Sequence, residues 1–288
     1  MNIFNISGGI GKNIMATSVV ASLKEQDPDS EIHITTPYNS VWKNNPDVSS
    51  VSDIEKSPNF YKDYILDKNP KIFRLEPYSS GDYFYRKKHL IDVWCDLYNI
   101  KNTKEPKIFI TKKEIESARE KLGDKKIFLI QTNGGADNQP YPISWARDLP
   151  LHTAEEVCKE MKKEGYRVIH LRRPDQPQLE NAEHVNMTFR ETLAAIELSN
   201  KRLFIDSVFQ HAAKALNKPS IVLWIVNDPK VFGYDLHKNI LPDSNVDYRH
   251  RMETFIEPYN IVGALHEYPY STENVFSTKF ILESLLED

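Results

Sequence analysis

The chain has 288 residues, 40% of them hydrophobic and 27% charged, with a formal net charge of -4. That length suits two α/β domains of about 120–170 residues better than one, and that charge gives no overall attraction to nucleic acid or to an anionic membrane. Cys95 and Cys158 are too few and too far apart for a disulfide framework. The apolar run Ile221 to Val226 is far short of the roughly 20 residues that span a bilayer. The chain opens on a short strand and a glycine turn, not on a basic then apolar leader, so a cytoplasmic protein is expected.

Ile3, Phe4 and Ile6 predict a first strand, Ser7 to Gly11 a turn, and Met15, Val19, Val20 and Leu23 a helix. A strand over Ile32 to Thr35 completes a βαβ unit and implies a parallel sheet. Asn44 to Pro70 reads as short strands and loops. Asp82 to Tyr98 reads as one helix, Ile108 to Ile110 as a strand and Lys112 to Leu122 as a charged helix. A second array follows. Strands are expected at Ile127–Gln131, Tyr166–Leu171, Arg202–Ile205 and Ser220–Ile225, and helices at Thr153–Glu164, Thr188–Asn200 and Ser207–Leu216. A last amphipathic helix is expected over about Glu273 to Glu287, able to pack back across the domain junction. The predicted division is 1–115 and 116–288.

Two segments carry chemistry. Gly8-Gly9-Ile10-Gly11-Lys12-Asn13 follows a first strand and aims backbone N–H groups and a helix N-terminus at one point, which favours an anion. A tight turn with no ligand has the same sequence. So does part of the phosphate loop of ParA/MinD-type ATPases, but Ser7 stands for its leading Lys and Asn13 for the hydroxyl residue that ligates magnesium. The second segment is Leu203 to Ala213. There a strand ends at Ile205, Asp206 and Ser207 suit a helix N-cap, and His211 follows about one turn later.

From Lys126 to Tyr234 the chain resembles the ADP-heptose:lipopolysaccharide heptosyltransferase family of GT-B glycosyltransferases. The family's DSGxxH is similar to Asp206-Ser207-Val208-Phe209-Gln210-His211, and its DP turn to Asn227-Asp228-Pro229. Gly11-Lys12-Asn13-Ile14-Met15-Ala16-Thr17-Ser18 resembles the family's GDxxMATP, and Asn45-Pro46-Asp47-Val48 its NPDV. The resemblance implies an α/β, GT-B architecture of two Rossmann-like doubly wound domains facing a cleft. It implies an inverting transfer of a sugar from a nucleotide-sugar, bound mainly by the C-terminal domain, to an acceptor hydroxyl. Domain 1–115 would be the acceptor side.

The departures shape the candidate list. The family's general-base Asp is Lys12 here, and a lysine serves as base only where burial lowers its pKa strongly. Val208 replaces the Gly of DSG, and the family's KxWP loop is replaced by Ile143 to Pro150, where Arg147 can supply charge for the leaving diphosphate. The catalytic candidates are Lys12, Asp82 and His89, the last forming a His–carboxylate pair with Asp92 at i, i+3. The donor-binding candidates are Thr132, Asn133, Gly134, Arg147, Arg172, Asp206, Ser207, Gln210 and His211. Gly9, Gly11, Asn13, Arg86 and Lys88 are the acceptor-side candidates, the last two in a basic cluster suited to an anionic acceptor. Histidine and cysteine spacing gives no metal site, and no cofactor beyond the donor substrate is expected. A glycan or a modified DNA base are both open as acceptor. A catalytically inactive nucleotide-sugar binder is the other alternative to the enzyme.

Overall fold

The computed structural model describes residues 1–135, 147–243, 270 and 274–287. The chain divides into two compact units, Met1–Ile110 and Thr111–Asp288. Each is built on one parallel sheet.

In the first unit, β1 (Asn2–Asn5) leads into α1 (Ile10–Gln26) and β2 (Ile32–Thr35). After α2 (Asn39–Trp42) come β3 (Ser50–Ser52) and β4 (Lys71–Phe73). The strand order is β3-β2-β1-β4, all parallel. Ile3, Phe4, Ile32 and Ile34 are buried, as expected of central parallel strands covered on both faces. Two short helices close the unit, α3 (Gly81–Phe84) and α4 (Leu90–Leu97).

The second unit opens with α5 (Lys112–Leu122) and β5 (Ile127–Ile130). It continues through α6 (Leu151–Lys163), β6 (Arg167–His170), α7 (Phe189–Leu198) and β7 (Lys201–Ile205). Then follow α8 (Val208–Ala215), β8 (Ile221–Leu223), α9 (Pro229–Phe232), β9 (Lys238–Ile240) and α10 (Thr278–Leu286). The order is β6-β5-β7-β8-β9, again parallel throughout. Ile281 and Leu285 of α10 join the core of this same unit, and Thr278 bonds Glu156 on α6.

Three expectations are corrected. The single helix over Asp82 to Tyr98 is two helices, because Arg86 adopts a left-handed φ of 49° and His89 is extended as the N-cap of α4. Ile108 to Ile110 forms no strand; the backbone N–H of Lys107 bonds the Thr17 hydroxyl instead of a sheet partner. Tyr64 and Ile65, expected in a strand or loop, lie in a π-helical turn over Tyr61–Ile65. No helix among the described residues is long and apolar enough to cross a membrane.

α5 and α7 form the most extensive helix pairing in the second unit, and each begins with a full capping box: Thr111 with Glu114, and Thr188 with Glu191. Arg190 joins the two helices through hydrogen bonds of 2.9 and 2.8 Å to the Glu114 carboxylate. Arg190, and then Thr111, hold the Glu114 carboxyl far below the usual carboxylate range. A depressed carboxyl stabilises the fold above its unfolded pKa and loses that contribution as pH falls through the folded value. Arg190→Ala is therefore expected to cost about 2–3 kcal/mol at pH 7. Urea unfolding of both proteins should show the gap narrowing as pH drops below about 4.

Candidate functional site

In an open parallel sheet, ligands bind beyond the carboxyl ends of the strands, where neighbouring crossovers leave in opposite directions. In the second unit that point lies between β5 and β7, since β6 pairs with one edge of β5 and β7 with the other. The loops after these two strands carry Gln131 to Gly134 and Asp206-Ser207.

They meet. Gln131 Nε2 donates to Ser207 Oγ at 3.2 Å and to the Asn133 carbonyl at 3.1 Å. A Cβ placed on Gly134 would lie 3.7 Å from both Arg147 Nε and Ser207 Oγ, so these three residues surround one point. Asp148 fixes the loop, accepting from Asn133 Nδ2 and from the Gly134 N–H, each at 2.9 Å. Thr132 is fully buried and bonds His170 Nε2 at 2.8 Å; burial pushes that imidazole down to about 4 and keeps it neutral. Ser207 is the N-cap of α8, yet its side chain makes no capping bond. The first N–H groups of α8 keep their anion-binding potential.

Asp206 sits at the base of this group, 6% exposed, and accepts a hydrogen bond from Asn227. Burial raises its pKa, while Arg147 and Asn227 act the other way. The structure thus gathers Thr132, Asn133, Gly134, Arg147, Asp206 and Ser207. Residues 136–146, including Ile143, Ser144, Trp145 and Ala146 of the replaced KxWP loop, lie outside the described residues.

The other donor-side candidates are placed differently. Gln210 is fully buried and donates to the Phe232 carbonyl at 2.9 Å; His211 is 5% exposed and bonds Tyr234 Oη at 2.8 Å. Both look into the packing between α8 and the α9–β9 segment. Arg172 folds onto its own loop, bonding the carbonyls of Arg173 and Gln176. Its neighbours Arg173 and Gln176 instead reach the carbonyls of Gly135 and Gly134.

The first unit has an equivalent point between β1 and β4, since β2 lies on the other side of β1. Lys12, only 7% exposed, makes an ion pair there with Glu76, three residues beyond β4. Burial lowers the Lys12 pKa and Glu76 raises it. Ser7 Oγ donates to the same Glu76 oxygen at 3.1 Å, and the Tyr78 and Trp94 rings lie 5.5 and 5.3 Å from Lys12 Nζ. Gly8 has a φ of +86°, and a Cβ there would meet Lys12 Cδ at 3.1 Å, so the turn needs glycine. A Cβ on Gly9 would meet nothing within 4 Å, and Gly11 lies in the first turn of α1, partly exposed.

Asn13 turns inward. It is fully buried, its Oδ1 accepts from Thr36 Oγ1 and Trp42 Nε1, and its Nδ2 donates to the Gly9 carbonyl. Both polar ends are engaged, so it offers nothing to magnesium, and Lys12 is tied to a carboxylate; the ATPase reading finds no support. Asp82 bonds Lys87 at 2.9 Å and pairs with Lys88 at 3.2 Å. Lys88 also pairs with Asp96, and Asp92 accepts from Asn102 at 2.7 Å. His89 Nδ1 caps α4 by accepting from the Ile91 N–H. Arg86 occupies the left-handed bend between α3 and α4. Among the described residues no His, Cys, Asp and Glu group could hold a metal ion.

Glu76, Asp148 and Asn227 escaped the sequence reading. Asp148 and Asn227 lie in segments already singled out, beside Arg147 and in the Asp-Pro turn. Glu76 has only its place before Pro77 to mark it.

No protein-family model and no curated protein matches the chain in sequence. Solved structures do match in shape. A glycosyl transferase family 9 protein from Veillonella parvula superposes with a TM-score of 0.68 at 14% identity, over 98% of this chain and 94% of that one. The E. coli ADP-heptose LPS heptosyltransferase II gives 0.64 at 15% identity, over 84% and 90%. E. coli heptosyltransferase WaaC, solved with ADP, gives 0.55 at 8% identity, over 85% and 94%. The chain has the GT-B fold of these glycosyltransferases. The resemblance drawn from the sequence motifs therefore holds at the level of the fold.

Within that fold, a buried Asp206 is a cost. A carboxyl whose folded pKa is raised destabilises the protein increasingly as pH climbs from the unfolded to the folded value. Asp206→Asn keeps an oxygen for the Asn227 bond and removes the charge. It is expected to raise the melting temperature at pH 7, with the gain vanishing below about pH 4. Calorimetry at the two pH values checks this; a lower melting temperature at pH 7 would contradict it.

Proposed function

We propose that the chain is a glycosyltransferase that takes a sugar from a nucleotide-sugar and joins it to an acceptor hydroxyl, with inversion. The observation that carries this is the convergence of Gly134, Arg147, Asp206 and Ser207 beyond β5 and β7. Arg147 brings a guanidinium, and α8 brings an N-terminus whose Ser207 side chain bonds elsewhere; together they suit a diphosphate. Gly134 allows a ligand close backbone approach.

In this reading the second unit, 111–288, is the donor-binding domain, and the first, 1–110, is the acceptor side. Arg147 and the α8 N–H groups stabilise the negative charge that grows on the departing diphosphate. Asp206 is buried close enough to Arg147 to feel its charge. Two of the similar structures are named as heptosyltransferases, one of them for ADP-heptose and the other solved with ADP, so ADP-heptose leads the donor panel. On the acceptor side the cations of the 86–88 cluster are offset: Lys87 and Lys88 pair with Asp82 and Asp96. That favours a glycan over a modified base in DNA, which needs an uncompensated basic channel.

The test is a thermal-shift panel of ADP, UDP, GDP and CMP with their sugar conjugates. One nucleotide should stabilise the protein with or without magnesium, since Arg147 supplies the positive charge. At about 100 times its dissociation constant the gain should be roughly 2.7 kcal/mol. Arg147→Ala should weaken that nucleotide about 10- to 100-fold. No shift with any member of the panel would sink the reading.

A further inference from the structure

The transfer just proposed leaves one atom unaccounted for. An acceptor hydroxyl must lose its proton as its oxygen bonds the anomeric carbon, and a positioned base contributes about 100-fold or more to such a step. Lys12 cannot take that proton in the arrangement seen, because its Nζ is the donor to both Glu76 and Ser7. Asp82 has its oxygens on Lys87 and Lys88.

We propose that Glu76 accepts the proton of the acceptor hydroxyl, and that Lys12 positions it; this rests on the glycosyltransferase reading. Glu76 stands at the ligand-binding edge of the first sheet, where the loops after β1 and β4 diverge. Its two oxygens are used unequally. Oε2 receives Lys12 Nζ and Ser7 Oγ. Oε1 is buried with no hydrogen-bond partner among the described residues. A buried carboxylate oxygen left unmet is costly and calls for a donor. A hydroxyl donates through its proton, so an acceptor hydroxyl has the polarity to satisfy it.

The step balances without a further reactant. The acceptor oxygen forms a bond to the anomeric carbon, and the bond from that carbon to the diphosphate oxygen breaks. The nucleoside diphosphate leaves with the electron pair, and the hydroxyl proton passes to the Glu76 carboxylate. Lys12 holds that carboxylate by Oε2 and leaves Oε1 available. Water in the same place gives donor hydrolysis by the same route.

The experiment measures nucleoside diphosphate released by hydrolysis of whichever nucleotide-sugar stabilises the wild type, across pH. Glu76→Gln should bind that donor as the wild type does but release diphosphate about 100-fold more slowly or worse, without the acid limb of the pH profile. Lys12→Met removes the group that holds the carboxylate in place and should slow release about 10-fold or more while donor binding stays as in the wild type. If the lone ammonium left by Glu76→Gln unfolds the protein, the double variant Lys12→Met/Glu76→Gln removes both charges and should be equally slow. A wild-type rate in Glu76→Gln or in Lys12→Met, or donor binding without any hydrolysis by the wild type, overturns the assignment of Glu76 alone. Failure of every nucleotide-sugar to bind the wild type overturns the glycosyltransferase reading itself.

Discussion

The arrangement of polar groups in this protein follows from one constraint: the first strand of each sheet has later strands on both sides. β1 lies between β2 and β4, and β5 between β6 and β7. Strands so placed are buried on both faces, as Ile127–Ile130 shows along its whole length. Side chains that need water or a ligand are excluded from the strands and collect where they end. There the crossovers leave in opposite directions, and side chains rather than a neighbouring strand bond the loop backbone, as at Gly134 and Gly135. Gly8 and Lys12 reach this position from one sheet, Gln131, Gly134, Asp206 and Ser207 from the other.

Side-chain caps begin several of the helices, among them α5 at Thr111, α7 at Thr188 and α10 at Ser277. α1, α6 and α8 follow the diverging strands β1, β5 and β7, and their N-caps Gly9, Pro150 and Ser207 make no capping bond. A cap contributes about 1 kcal/mol. Selection for stability alone would have put one at Ser207, whose hydroxyl instead binds Gln131. At Ser207 a local rule is set aside where the loops after β5 and β7 meet.

Much of this was legible in the sequence where it depends on neighbours in the chain. The βαβ periodicity gave the parallel sheets, and the glycine turn and Asp206-Ser207 pointed to the right edges of them. What depends on distant partners was hidden. β4 and β9 are three residues each, with only Phe73 and Ile240 buried, so they carry too little pattern to read. The apolar period over Asp82 to Tyr98 is real only from Leu90, and nothing local reveals the left-handed Arg86. His211 matches a motif, but its surroundings are set by Tyr234, 23 residues on. Glu76 is 64 residues from Lys12 and reaches it only because β4 pairs with β1.

That last pairing explains how Lys12 is tolerated at all. A lysine this buried has lost hydration that only a carboxylate close by can replace. Lys12 and Glu76 therefore work as one unit, and neither is interpretable as a single departure from a family pattern. In the second unit Arg147 and Asp206 influence each other's charge, and Asp148 holds the same loop. Each gap is strongly polarised. Proton loss from a hydroxyl calls for a carboxylate with an oxygen to spare, and departure of a diphosphate calls for a cation. The chain carries Glu76 with its unmet Oε1 in one unit and Arg147 beside Gly134 in the other. In both, the counter-charge is the more buried residue, with the Lys12 side chain 6% exposed against 35% for Glu76, and Asp206 buried while Arg147 is partly exposed. Under the proposed reaction, the less buried residue of each is the one the chemistry needs.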